Sequence, residues 1–84
     1  SLSISNTNTG YAGNLLKAQV TIKNDSDEHI DFRYKFKWLY THEFEVAADG
    51  RPWTPMLIAP YESKNVQAVA PNPSVNSFKV LMQN

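Results

Sequence analysis

The chain contains no cysteine, which removes disulfides, thiolate catalysis and cysteine-ligated zinc together. It also lacks any excess of charge. Eight Lys plus Arg stand against eight Asp plus Glu, a balance that argues against a protein whose main task is to hold nucleic acid or an acidic membrane surface. Long apolar runs are missing too: the longest is MLIA, Met56 to Ala59, far short of the roughly 20 residues that span a bilayer. Glycine occurs only at positions 10, 13 and 50, so no phosphate-cradling loop can be built. The two imidazoles, His29 and His42, stand without a nucleophile elbow, a paired carboxylate or the second histidine of a helical zinc site. The acidic stretch NDSDEHID, Asn24 to Asp31, lacks the turn glycine and the distal bidentate glutamate of a calcium loop. Neither a catalytic residue nor a cofactor or metal ligand is expected.

What is present is an alternation of period two. Eighty-four residues make one domain, 1–84, that buries only roughly 60–65% of its unfolded surface, so most large apolar side chains must serve the core. LLKAQVTIKN places Leu16, Ala18, Val20 and Ile22 on one face and Lys17, Gln19, Thr21 and Lys23 on the other, the signature of a half-buried strand. The polar cluster after it reads as a solvated hairpin turn. Ile30 to Tyr40 is the longest strand, with Phe44 to Ala47 as its short hairpin partner. ADGRPWTP breaks pairing through Asp49-Gly50 and two prolines. Further strands fit Trp53 to Ile58, Lys64 to Val69 and Ser77 to Met82, and SLSISN can supply a first. There is no internal repeat or low-complexity tract. The fold class is all-β: a single immunoglobulin-like β-sandwich of six to seven antiparallel strands.

FRYKFKW, Phe32 to Trp38, raises a nucleic-acid question, because rings alternate with cations. Successive strand residues point to opposite faces, so Phe32, Tyr34, Phe36 and Trp38 share one face and Arg33, Lys35 and Lys37 the other. A stacking platform needs both on the same face. The rings are therefore expected in the core, where each contributes roughly 1.5–3 kcal/mol, and no nucleic-acid partner is expected. Arg33, Lys35 and Lys37 remain as a candidate interaction row, either a solvated face or a dock for an acidic partner. Trp53 is the other candidate, as a plug of the sandwich end or as an exposed anchor.

YKFKWLY, FEV, PWTPMLI and VQAVAPNPSVNSFKVLM together resemble the YcfL-like family of small lipoproteins from Gram-negative bacteria, a domain of unknown function. The resemblance runs from about Leu15 to Met82, and its specific parts are Trp38, the Pro52 to Pro55 tetrad, the Ala70 to Pro73 corner and Phe78. It implies an immunoglobulin-type sandwich in the periplasm, membrane-bound only through a lipidated cysteine upstream of Ser1. The chain begins without Met or a basic-then-apolar leader, which reads as a processed or trimmed chain. The family closes the hairpin after its Trp with an Asp-x-x-Gly turn, where this chain has Tyr40, Thr41, His42 and Glu43. Glu43 is either strained at positive φ or part of a different turn, and an ordinary right-handed turn is expected. The function expected is a non-enzymatic envelope interaction or accessory module with an unidentified envelope protein as partner. The alternative is a small-ligand module for peptide or glycan at the sandwich end near Trp53. An exposed flat strand edge favours the first and a concave pocket beside Trp53 the second.

Overall fold

The computed structural model describes residues 1–47 and 51–84. Six strands follow one another: β1 (Leu2–Ala12), β2 (Leu15–Asn24), β3 (Ile30–Leu39), β4 (Thr54–Ile58), β5 (Ser63–Val69) and β6 (Ser77–Gln83). They form two three-stranded antiparallel sheets, β1-β2-β5 and β4-β3-β6. In the letters of an immunoglobulin sandwich this is A-B-E against C′-C-F. Among the described residues no strand occupies the place of G, beside F.

The apolar faces of the central strands, β2 and β3, meet. Ala18, Val20 and Ile22 are buried against Phe32, Phe36, Trp38 and Ile58 in one core cluster. The four rings of β3 share the inner face as alternation requires, and Phe36 stacks on Trp38 with ring centroids 5.5 Å apart and planes 14° off parallel. Trp38 is 3% exposed and Phe32 1%. Tyr34 is only half-buried. With these rings turned inward, β3 presents no stacking platform for bases.

Four expectations change. β1 is not the short SLSISN segment but an 11-residue strand, closed onto β2 by a two-residue loop with Gly13 at φ 62°, a backbone that glycine adopts without steric cost. Asn24 to His29 is not a hairpin turn, since β2 and β3 lie in different sheets; it is a crossover from one sheet to the other. Phe44 to Ala47 folds back on β3 but forms only a single bridge, Leu39 to Glu45, with hydrogen bonds from Tyr40 N–H to Phe44 C=O and Val46 N–H to Trp38 C=O. The main partners of β3 are β4 and β6. Pro55 does not end pairing but sits inside β4 opposite Arg33. That is tolerated because β4 is an edge strand, where a missing donor faces outward. The expected Asp49-Gly50 turn lies outside the described residues.

The crossover is organised by Asn24, whose side chain is fully buried. Its Nδ2 donates to the carbonyls of Glu28 (2.6 Å) and Ala59 (3.1 Å), and its Oδ1 accepts from the N–H and hydroxyl of Ser26 (2.9 and 2.7 Å). One amide thereby ties the end of β2, the crossover and the corner after β4, and it supplies the acceptor for the Ser26 N–H.

Candidate functional site

The cation row lies on the outer face of the β4-β3-β6 sheet, and each member has a partner. Arg33 Nη2 donates to Gln83 Oε1 at 2.7 Å, Lys35 Nζ stands 4.7 Å from the centroid of the Trp53 ring, and Lys37 Nζ lies 3.3 Å from Glu45 Oε1. Trp53 is therefore not a plug of the sandwich end. Thr54 faces Tyr34 across the ladder, so the residue before it comes level with Lys35 and lays its indole under that ammonium, half-buried. Arg33, Lys35 and Lys37 and Trp53 meet on one face, as parts of a surface already matched within the chain.

The turn after β3 adds to this matching. Lys37 and Lys79 are directly opposite on the β3-β6 ladder, a repulsive arrangement. Glu45 pairs with Lys37 and Glu43 Oε1 lies 3.4 Å from Lys79 Nζ, so the segment that folds back covers both lysines with opposite charge. The backbone adopts an unusual course there: His42 and Glu43 both sit at φ 61°. The ordinary right-handed turn expected at Tyr40 to Glu43 does not form. The Glu43 N–H donates to Tyr40 C=O, and the Asn76 amide reaches the Thr41 hydroxyl at 3.0 Å.

Among the described residues, a groove opens along each side of the sandwich. On the β4-β5 side a groove of about 330 Å³ runs beneath Tyr34, Phe36 and Trp38, rimmed by Arg51, Pro52 and Gln67. Trp53 does not line it. The edges flanking it are protected from further pairing, since β4 is five residues long and carries Pro55, and β5 carries Lys64.

The β1-β6 side is different. A groove of about 390 Å³ lies between Ile4 and Thr7 of β1, Val20 of β2, and Phe78 and Val80 of β6. Ile4, Thr7, Thr9 and Tyr11 pair with the buried Ile22, Val20, Ala18 and Leu16, and so face inward with them. Yet Ile4 is 39% and Tyr11 70% exposed. Leu2 packs on the core, but from Ile4 to Tyr11 the inner face of β1 has no full covering layer. β6 below it pairs with β3 from Ser77 to Gln83 without a register shift, has no proline, and has one charge, Lys79, held by Glu43. Among the described residues its other edge pairs with no strand. Among the described residues, this edge of seven residues beside an open apolar groove has no proline and no bulge, and its one lysine is ion-paired to Glu43, so few of the devices that deter pairing are present. Nothing in the sequence marked this edge, because strand partnership is not written in the local alternation of side chains.

Among the described residues no helix is long and apolar enough to cross a membrane. A comparison with curated proteins finds no match. Among solved structures, the fold is similar to a DUF1425 family member from Shewanella sp. pv-4, with a TM-score of 0.88 at 22% identity, covering 99% of this chain and 77% of that one. It is also similar to Campylobacter jejuni cj0090, with a TM-score of 0.78 at 16% identity, covering 94% of this chain and 82% of that one. The family model described as "Protein of unknown function (DUF1425)" matches residues 1–84, and the chain accordingly belongs to the DUF1425 family.

Proposed function

We propose that this chain is a non-enzymatic interaction module of the Gram-negative cell envelope, and that it takes its partner protein by strand addition along β6. The observation that supports this reading is the β6 edge, unpaired among the described residues, beside the exposed inner face of β1 from Ile4 to Tyr11. Strand addition draws affinity from main-chain hydrogen bonds and specificity from alternate side chains entering a groove, and both elements stand side by side here. The cation row is a weaker candidate for the contact, because each of its members already has a partner within the chain, a carboxylate for Lys37, an amide for Arg33 and an indole for Lys35, and would have to give it up to dock another surface. The finer placement follows from the YcfL-like resemblance: a periplasmic lipoprotein, anchored through a lipid upstream of Ser1.

The test is in-cell photo-crosslinking of the full-length protein with a benzoylphenylalanine at position 79 on β6, or at Gln67 on β5 as control. Adducts from position 79 and none from position 67 are expected. Adducts from position 67 alone, or from neither, would remove the reading.

A second reading has one observation in its favour. The β4-β5 groove is floored by three aromatic side chains with polar groups at its rim, the composition of a small-ligand site. Peptide or glycan binding there requires Tyr34 or Trp38 amide and ring resonances to shift on addition of the ligand. A screen of short peptides and oligosaccharides that leaves those resonances unmoved would retire it.

A further inference from the structure

The proposed strand addition leaves the identity of the added strand open, and β6 itself points to an answer. Its inward residues are Phe78, Val80 and Met82 and its outward residues are Ser77, Lys79, Leu81 and Gln83, as the pairing with the inward Trp38, Phe36 and Tyr34 fixes. An antiparallel copy of the same strand centred on Val80 places Phe78 against Met82 of the copy and Val80 against Val80 on the inner face. On the outer face it places Lys79 against Leu81 and Ser77 against Gln83. The whole seven-residue edge is used and no like charges meet. Centring the pair on Lys79 sets two lysines directly opposite, which is destabilising. Centring it between residues puts outward side chains against inward ones, which the sandwich forbids.

We propose that the occupant of the β6 edge is β6 of a second copy of this chain, paired antiparallel about Val80, so that the inner faces of the two β6 strands run on from one another and the two grooves under Ile4 and Thr7 meet across the two-fold axis. This inference rests on the strand-addition reading above and names its partner. The interface is isologous, as two-fold pairing of one surface patch with itself must be. It is also short. A single added strand lies at the low end of interface sizes, so the dimer is expected to dissociate in the range of about 10 µM to 1 mM.

The register makes a signed demand on Leu81, which lies on the outer face and outside the core cluster. Leu81→Glu sets a carboxylate opposite Lys79 of the copy, twice per dimer by symmetry. Leu81→Lys sets an ammonium there instead. Sedimentation equilibrium should show Leu81→Glu dimerising more tightly than wild type and Leu81→Lys more weakly, each by about two- to thirtyfold. The double variant Lys79→Glu with Leu81→Lys should recover affinity, since it restores opposite charges across the pair. Thermal melts of all the variants establish that they fold, and if one does not, the remaining comparisons still carry the sign. A wild-type chain that stays monomeric at about 1 mM, or Glu and Lys variants that shift association in the same direction, would overturn the proposal. If the chain is monomeric but position 79 crosslinks a different protein in cells, the second copy is excluded and strand addition stands. If position 79 captures neither, both fall.

Discussion

The ammonium of Lys35 lies 4.7 Å from the ring centroid of Trp53, so the two interaction candidates that stand 18 positions apart in the chain occupy one another. A cation held over an indole contributes about 0.5–1 kcal/mol at an exposed site. Lys35→Ala and Trp53→Ala should each lower stability, and a double-mutant cycle should return a coupling of about 0.5–1 kcal/mol. Additive single effects would show that the contact contributes nothing in solution.

Trp38 stands at the centre of the ring cluster, stacked on Phe36 and 6.1 Å from the ring of Phe78. Trp38→Ala should cost about 3–5 kcal/mol, a large part of the stability of a domain this size. Chemical denaturation should find little folded protein at 37 °C. A cooperative transition within a few degrees of wild type would contradict the packing described.

Glu43 is held at φ 61°, where a residue with a Cβ pays roughly 1–2 kcal/mol relative to the right-handed region. Its ion pair with Lys79 joins two well-exposed side chains and offsets part of this, by up to about 1 kcal/mol. Glu43→Gly should therefore stabilise the chain by up to about 1 kcal/mol, or about 4–8 °C in Tm. The gain should grow with added salt, because salt screens the ion pair that the substitution removes and leaves the backbone strain untouched. A lowered Tm at high salt would show that the backbone at this position is not strained.

Asn24 supplies both donors and acceptors at the crossover. Asn24→Ala should cost about 1–3 kcal/mol, since it leaves the N–H of Ser26 without a partner, empties a buried site, and reduces the carbonyls of Glu28 and Ala59 to their remaining donors, the Ser26 hydroxyl and the Glu62 N–H. Asn24→Asp retains the acceptor but turns a charged oxygen toward those carbonyls. It should be destabilised near neutral pH and recover part of the loss on acidification, once a protonated carboxyl can donate again. Denaturation midpoints across pH check this: an Asp variant as stable as wild type at neutral pH would remove Asn24 from its organising role.

Legibility in the sequence followed side-chain chemistry strand by strand. β2 and the ring-bearing β3 were readable because their inward positions are apolar and their outward positions polar, and the same alternation located β4, β5 and β6 to within a residue or two. β1 was underread because Thr7 and Thr9 face inward without an apolar side chain to mark the period, and they can do so only because nothing covers them. Asn24 was hidden in a polar cluster that looks solvated, since the same amide suits a surface turn or a buried hub. Trp53 was left open between a plug and an exposed anchor because the prolines beside it concealed the register that sets it level with Lys35. Sheet partnership itself was not encoded locally, and so the β6 edge, unpaired among the described residues, was not visible either.

The most direct measurement is the amide spectrum of the 84-residue chain recorded by NMR as it is concentrated toward about 1 mM. The account predicts shifts confined to Ser77–Gln83 and to Ile4 and Thr7 across the groove, with β4, β5 and the Lys35–Trp53 surface unmoved. Shifts centred on Thr54–Ile58 or Ser63–Val69, or a spectrum that does not change at all, would contradict it.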